Sequence, residues 1–110
     1  MSSSIIDNKI TLTRGDTLRA PITITMPDKT PYIPEEADQI KFTVKRSPLD
    51  SEALITKIIS PDSMTLHLEN KDTKDLSYGI YKYDMKLILA NGDVHTFIPC
   101  SPFQITEEIG

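Results

Sequence analysis

Apolar and polar residues alternate with period two along most of the chain. Ile22, Ile24 and Met26 are separated by Thr23 and Thr25, and Ile40, Phe42 and Val44 alternate with Lys41, Thr43 and Lys45. Met64, Leu66 and Leu68 alternate with Thr65, His67 and Glu69. The longest set is Tyr81, Tyr83, Met85, Leu87 and Leu89, with Lys82, Asp84 and Lys86 on the opposite phase. Successive strand side chains point to opposite faces, so each run predicts a strand with one dry face and one wet face. No segment of helical length keeps an apolar stripe at i, i+3, i+4, i+7; Asn70 to Leu76 reads as a turn or a single helical turn. The expected class is all-β.

Turn chemistry separates these runs. Arg14-Gly15-Asp16 stands between Ile10–Thr13 and Thr17–Met26, where a glycine fits a bulge or kink. Pro27-Asp28-Lys29-Thr30-Pro31, Ser47-Pro48-Leu49-Asp50-Ser51 and Pro61-Asp62-Ser63 follow, with proline presetting φ and Asp or Ser supplying side-chain acceptors. Asn91-Gly92, between Leu89 and Val94, reads as a two-residue hairpin because both residues accept positive φ. The result is about seven strands, a spacing that suits a sandwich or a small barrel. In Leu76-Ser77-Tyr78-Gly79-Ile80-Tyr81-Lys82-Tyr83 a tight turn leads into the longest strand. Tyr81 stands there where a tyrosine corner would, its hydroxyl bonding back to the preceding backbone. Residues 1–8 are expected to be a flexible segment and residues 9–110 a single β-sandwich domain. Pro21, Pro99 and Pro102 fall in or beside strand runs, which places them at sheet edges or bulges.

Composition narrows the function classes. At 110 residues and 38% hydrophobic, the chain can bury one core without a disulfide or metal. Acidic residues outnumber basic ones 16 to 12, for a formal charge of −4, which argues against nucleic acid as a partner. No apolar run approaches the roughly 18 residues of a membrane span, and the start of the sequence has no basic, then apolar, leader pattern. The single cysteine rules out an internal disulfide. With no tryptophan either, an antibody-type domain is excluded.

Candidate chemistry is thin. His67, His95 and Cys100 are the residues from which a base, a nucleophile or a metal site would be built, but no spacing joins them. Glu35, Glu36 and Asp38, and Glu107 with Glu108, lack the spacing of a calcium loop. Four glycines, at 15, 79, 92 and 110, make no phosphate-binding loop. Arg14-Gly15-Asp16 is an integrin-binding triplet elsewhere and is read here as a backbone feature. Lys41, Lys45 and Arg46 on one strand, and Lys82 and Lys86 on another, are expected to face solvent and pair across strands with Asp84 or Glu69. The reading is therefore no enzyme, no cofactor and no metal. A carbohydrate-binding β-sandwich is the alternative, with Tyr32 and Tyr78, and after them Phe97, as its aromatic platform, because Tyr81 and Tyr83 are buried by phase.

Several stretches, in order, resemble a known family: Ile10-Thr11-Leu12-Thr13-Arg14-Gly15-Asp16-Thr17, Ile40-Lys41-Phe42-Thr43-Val44-Lys45, Leu76 through Met85, Asn91-Gly92-Asp93-Val94-His95-Thr96, and Phe103-Gln104-Ile105-Thr106-Glu107-Glu108. Together they resemble the immunoglobulin-like N-terminal domain of baseplate upper proteins from phages and prophages of Gram-positive bacteria, and stand-alone versions near virion genes. The resemblance spans about residues 9 to 108 and rests on strand and turn signals. It implies an immunoglobulin-like antiparallel sandwich that docks to other phage structural proteins or to copies of itself in a baseplate, tail or capsid. The expected location is the bacterial cytoplasm on expression and then the virion, with no nucleic-acid or membrane partner. Baseplate upper proteins continue into long helical parts, whereas this sequence stops at Gly110, so a free-standing domain is expected.

Overall fold

The computed structural model describes residues 3–6, as backbone only, and residues 8–107. Among the described residues ten strands and one helical turn follow in order: β1 (Ser3–Ile6), β2 (Lys9–Thr13), β3 (Leu18–Pro21), β4 (Ile24–Thr25), β5 (Pro31–Tyr32), β6 (Gln39–Lys45), β7 (Ile55–Ile59), β8 (Thr65–Leu68), α1 (Asn70–Thr73), β9 (Gly79–Ile88) and β10 (Val94–Thr106). The protein is all-β. One sheet holds six strands in the order β1-β2-β10-β9-β6-β7, and β3-β8 and β4-β5 form two small sheets.

Two features depart from a uniformly antiparallel seven-strand reading. β2 runs parallel to β10, so the large sheet is mixed. The single run expected over Thr17–Met26 is also divided: Leu18–Pro21 pairs with β8, whereas Ile24 and Thr25 pair with β5. Between them the Ile22 amide donates to the Met64 carbonyl, so the chain changes partners without losing its alternation. Of the segment expected to be flexible, Ser3–Ile6 lies antiparallel on β2, and residues 1, 2 and 7 lie outside the described residues.

The period-two faces are the core faces. Ile40, Phe42 and Val44 are fully buried, as are Leu66 and Leu68, and Tyr81, Tyr83, Met85 and Leu87 are nearly so. Leu18 and Ala20 from the small sheet join the same buried cluster as Ile10, Leu12, Phe103 and Ile105 from the large one. At its centre Phe42, Tyr83 and Phe103 pack with ring centroids 5.4, 6.1 and 6.3 Å apart, in the tilted and edge-on arrangements that aromatic quadrupoles favour.

Strand ends are fixed by specific contacts. The Asp16 amide donates to the Thr13 carbonyl, closing a β-turn with Gly15 at φ +82°, the position that needs a positive φ. Gly15 thus connects strands of two different sheets and is not a bulge within one strand. α1 pins this turn: the Gly15 amide donates to the buried Thr73 hydroxyl at 2.8 Å, and the Asn70 side chain donates back to the Gly15 carbonyl at 2.9 Å. Asn91-Gly92 also differs from the two-residue expectation. The Gly92 amide donates to the Leu89 carbonyl and the Leu89 amide to the Asp93 carbonyl. The loop is therefore Ala90-Asn91-Gly92, with positive φ at Gly92 and not at Asn91. Asn91 contributes through its side chain, whose Oδ1 accepts the Asp93 amide. The prolines sit where a missing N–H costs least. Pro21 lies on β3, whose ladder partner is β8 alone. Pro99 lies in the register shift of β10, and Pro102 stands just before the β2 pairing begins at Phe103.

Candidate functional site

The solvent face of the large sheet carries the strongest local charge pattern. The β6–β9 register places Lys41 opposite Lys86, Thr43 opposite Asp84 and Lys45 opposite Lys82. The lysines therefore oppose one another and do not pair with Asp84 or Glu69 as expected; Glu69 instead lies 3.5 Å from Lys71. Period-two spacing assigns each residue a face, but register decides its neighbour, and like charges directly opposite are unfavourable. Arg46 leaves this face altogether, its guanidinium 5.3 Å over the Tyr81 ring. Among the described residues none of Lys41, Lys45, Lys82, Lys86 or Asp84 is in an ion pair. Exposed aliphatics flank the lysines: Ile58 is opposite Lys41, and Val94 continues the row through Ile88 to Gln39.

A shallow cleft of about 110 Å³ opens on the same face, lined by Thr43, Lys45, Pro48, Lys82, Tyr83, Asp84 and Cys100. Cys100 is exposed there because β10 bulges between Ile98 and Ser101. A second groove, of about 310 Å³, lies between the layers beside β3 and β4, lined by Ile10, Ala20, Ile22, Leu66, Met85, Phe97 and Ile98 among others. At its floor the Tyr83 hydroxyl donates to the Asn8 carbonyl, and burial pushes the Tyr83 pKa up to about 12.

The tyrosines proposed for a sugar platform are held apart. The Tyr32 hydroxyl donates to Asp38 at 2.5 Å, and Asp38 also accepts the Glu35 amide at 2.9 Å. Donation to Asp38, with some burial, raises the Tyr32 pKa to about 12. The same two donors hold the Asp38 carboxyl below its ordinary value. This cluster stands beside Gln39, opposite the Ile88 end of β9. Tyr78 precedes the other end of β9 and lies under the Arg14 guanidinium, 4.3 Å from its ring centroid. The ten residues of β9, a backbone length on the order of 30 Å, lie between the ends at which the two tyrosines are held, which argues against one shared sugar site. Phe97 is half-buried against the core. Arg14, covering Tyr78, is likewise half-buried and not presented on a loop tip.

Tyr81 is buried and its hydroxyl donates to the Ser77 carbonyl at 2.7 Å, four residues upstream. Gly79, between them, takes φ +145° at the start of β9. His67 lies on β8 opposite Arg19, and His95 on β10 opposite Leu87. Among the described residues no three of His, Cys, Asp and Glu gather as a group that could hold a metal, and no helix is long and apolar enough to cross a membrane. No family model matches the chain, and no curated protein or solved structure does either.

Two structural features escape sequence reasoning. Asp38 looks like one more solvated acid beside Glu35 and Glu36, yet it is nearly buried and ties the β5 loop down. The lysine rectangle is invisible because it depends on the β6–β9 register. A signal for the first was present: Tyr32 and Asp38 are six residues apart across a proline turn, within reach if the loop folds back.

Proposed function

We propose that this chain is a non-enzymatic structural module of a phage or prophage, an immunoglobulin-like sandwich that works by docking to other virion proteins. The observation that carries the reading is where the phage-like segments fall. Within these segments Ile10–Thr13, Ile40–Lys45, Gly79–Met85 and Phe103–Thr106 fall in β2, β6, β9 and β10, four strands of the large sheet, and Asn91–Thr96 spans the β9–β10 turn. The resemblance thus bears on one connected scaffold. Strand order supports the immunoglobulin-like reading: β3 with β8 stand as strands B and E, and β6, β9 and β10 in sequence as C, F and G. Tyr81 then opens strand F with its hydroxyl on the upstream backbone, in the manner of a tyrosine corner.

Docking is the work such a module performs. Its surface offers a cationic sheet face, a free β3 edge and a groove between layers, and strand edges and sheet faces are what partner chains use. The partners are other phage structural proteins, met after synthesis in the bacterial cytoplasm and retained in the virion. Co-expression with the proteins encoded beside it, followed by affinity purification and gel filtration, tests the reading. A stable complex with at least one neighbour is expected, and copurification with none would overturn it.

A further inference from the structure

We infer that the lysine face of the large sheet is a self-association surface, onto which a second copy of this chain places its Ile33–Glu36 loop. This surface is argued from charge, exposure and position and does not rest on the virion reading.

On the β6–β9 part of this face sit four of the chain's 12 basic residues and one of its 16 acidic ones, so it is a cationic patch on a molecule of formal charge −4. Lys41 faces Lys86 and Lys45 faces Lys82 without an ion pair among the described residues. Directly opposed like charges weaken a sheet, and a carboxylate laid between them converts that repulsion into attraction. The same sheet face exposes Ile58, at 56%, and Val94, at 53%. A nucleic acid would leave these aliphatics uncovered; a protein segment with an apolar side chain beside its carboxylates would not.

The chain carries such a segment. Ile33 is 87% exposed, and Glu35 and Glu36 beside it are exposed and in no ion pair among the described residues. The loop is held out firmly, because Asp38 accepts both the Tyr32 hydroxyl and the Glu35 amide while its own amide donates to the Glu35 carbonyl. A preorganised loop loses less freedom on docking.

Position favours a closed pair over an open chain of copies. The loop leads directly into Gln39, and Lys41 with Lys86 is the next outward-facing row, roughly 7 Å along the strand. The acidic loop and the Lys41–Lys86 pair thus lie close together at the Gln39 end of β6. A twofold axis between two such faces lets each loop cover the other copy's Lys41 and Lys86, and the contact satisfies itself.

Sedimentation velocity of the full 110-residue chain over a concentration series tests this, in about 0.05 M and about 0.5 M salt, which brackets weak and strong screening. Dimer at low salt that dissociates at high salt is expected. The double variants Lys41→Glu/Lys86→Glu and Glu35→Lys/Glu36→Lys should each be monomeric, and an equimolar mixture of the two should dimerise again, since each then meets an opposite charge at both contacts. Unchanged thermal unfolding of both variants confirms that they fold. Wild-type protein that stays monomeric at low salt would overturn the proposal, as would variants that dimerise like wild type or a mixture that stays monomeric. A monomer that binds a DNA duplex through the same lysines would overturn it in favour of a polyanion site.

Discussion

The buried Thr73 hydroxyl accepts the Gly15 amide at 2.8 Å, joining two residues 58 positions apart. Through this bond the single helical turn before β9 fixes the turn that carries the chain from the large sheet to the small one. Thr73 is completely buried, so its hydroxyl has no solvent to fall back on. Thr73→Val keeps the shape and removes the acceptor, leaving the Gly15 amide unsatisfied. That should cost about 1–3 kcal/mol in chemical denaturation, with Thr73→Ser much closer to wild type.

Phe42 is the keystone of the aromatic centre, fully buried and 5.4 Å from the Tyr83 ring centroid. Phe42→Ala removes contacts to both Tyr83 and Phe103 and opens a cavity that rigid sheets cannot close. The expected loss is roughly 3–5 kcal/mol by urea unfolding. A near-neutral result would contradict the packing described for β6.

Tyr81→Phe isolates one hydrogen bond, because the ring stays and only the donor to the Ser77 carbonyl is lost. A loss of about 1 kcal/mol or somewhat more is expected in the same assay.

Stability should fall at both ends of the pH scale. Asp38 has a lowered pKa in the fold because Tyr32 and the Glu35 amide donate to it. The stability it contributes is therefore present above its unfolded value, about 3.9, and is lost as pH falls through the lower folded value. Asp38→Asn should flatten the acid limb of a stability–pH curve. Tyr32 and Tyr83 have the opposite sign, raised to about 12 from 10.0. What they contribute is present below pH 10 and lost as pH rises toward 12, so Tyr32→Phe and Tyr83→Phe should each flatten the alkaline limb.

The sequence carried the faces of the sheet well and its connections poorly. Tyr81, Tyr83, Met85 and Leu87 alternate without interruption, and all four are buried in β9. Local period suffices there because one side of the strand must be dry. β10 was harder to read: Pro99 and Pro102 interrupt its pattern, yet it runs 13 residues by bulging between Ile98 and Ser101. The parallel pairing of β2 with β10 joins residues more than 90 positions apart, which no local pattern encodes. For the same reason period two sets the side of β6 and β9 on which the lysines lie but not the neighbours they meet. At Asn91-Gly92 the composition marked the turn, and only the Leu89–Asp93 closure distinguishes a three-residue loop from a two-residue one.

The virion role proposed for this chain requires that it be built into phage particles. Quantitative mass spectrometry of particles purified from the bacterium that carries the gene tests it most directly. The chain is expected at a fixed ratio to the other tail, baseplate or capsid proteins, retained through density-gradient purification. Intact particles without it, from cells that express it, would rule out that role.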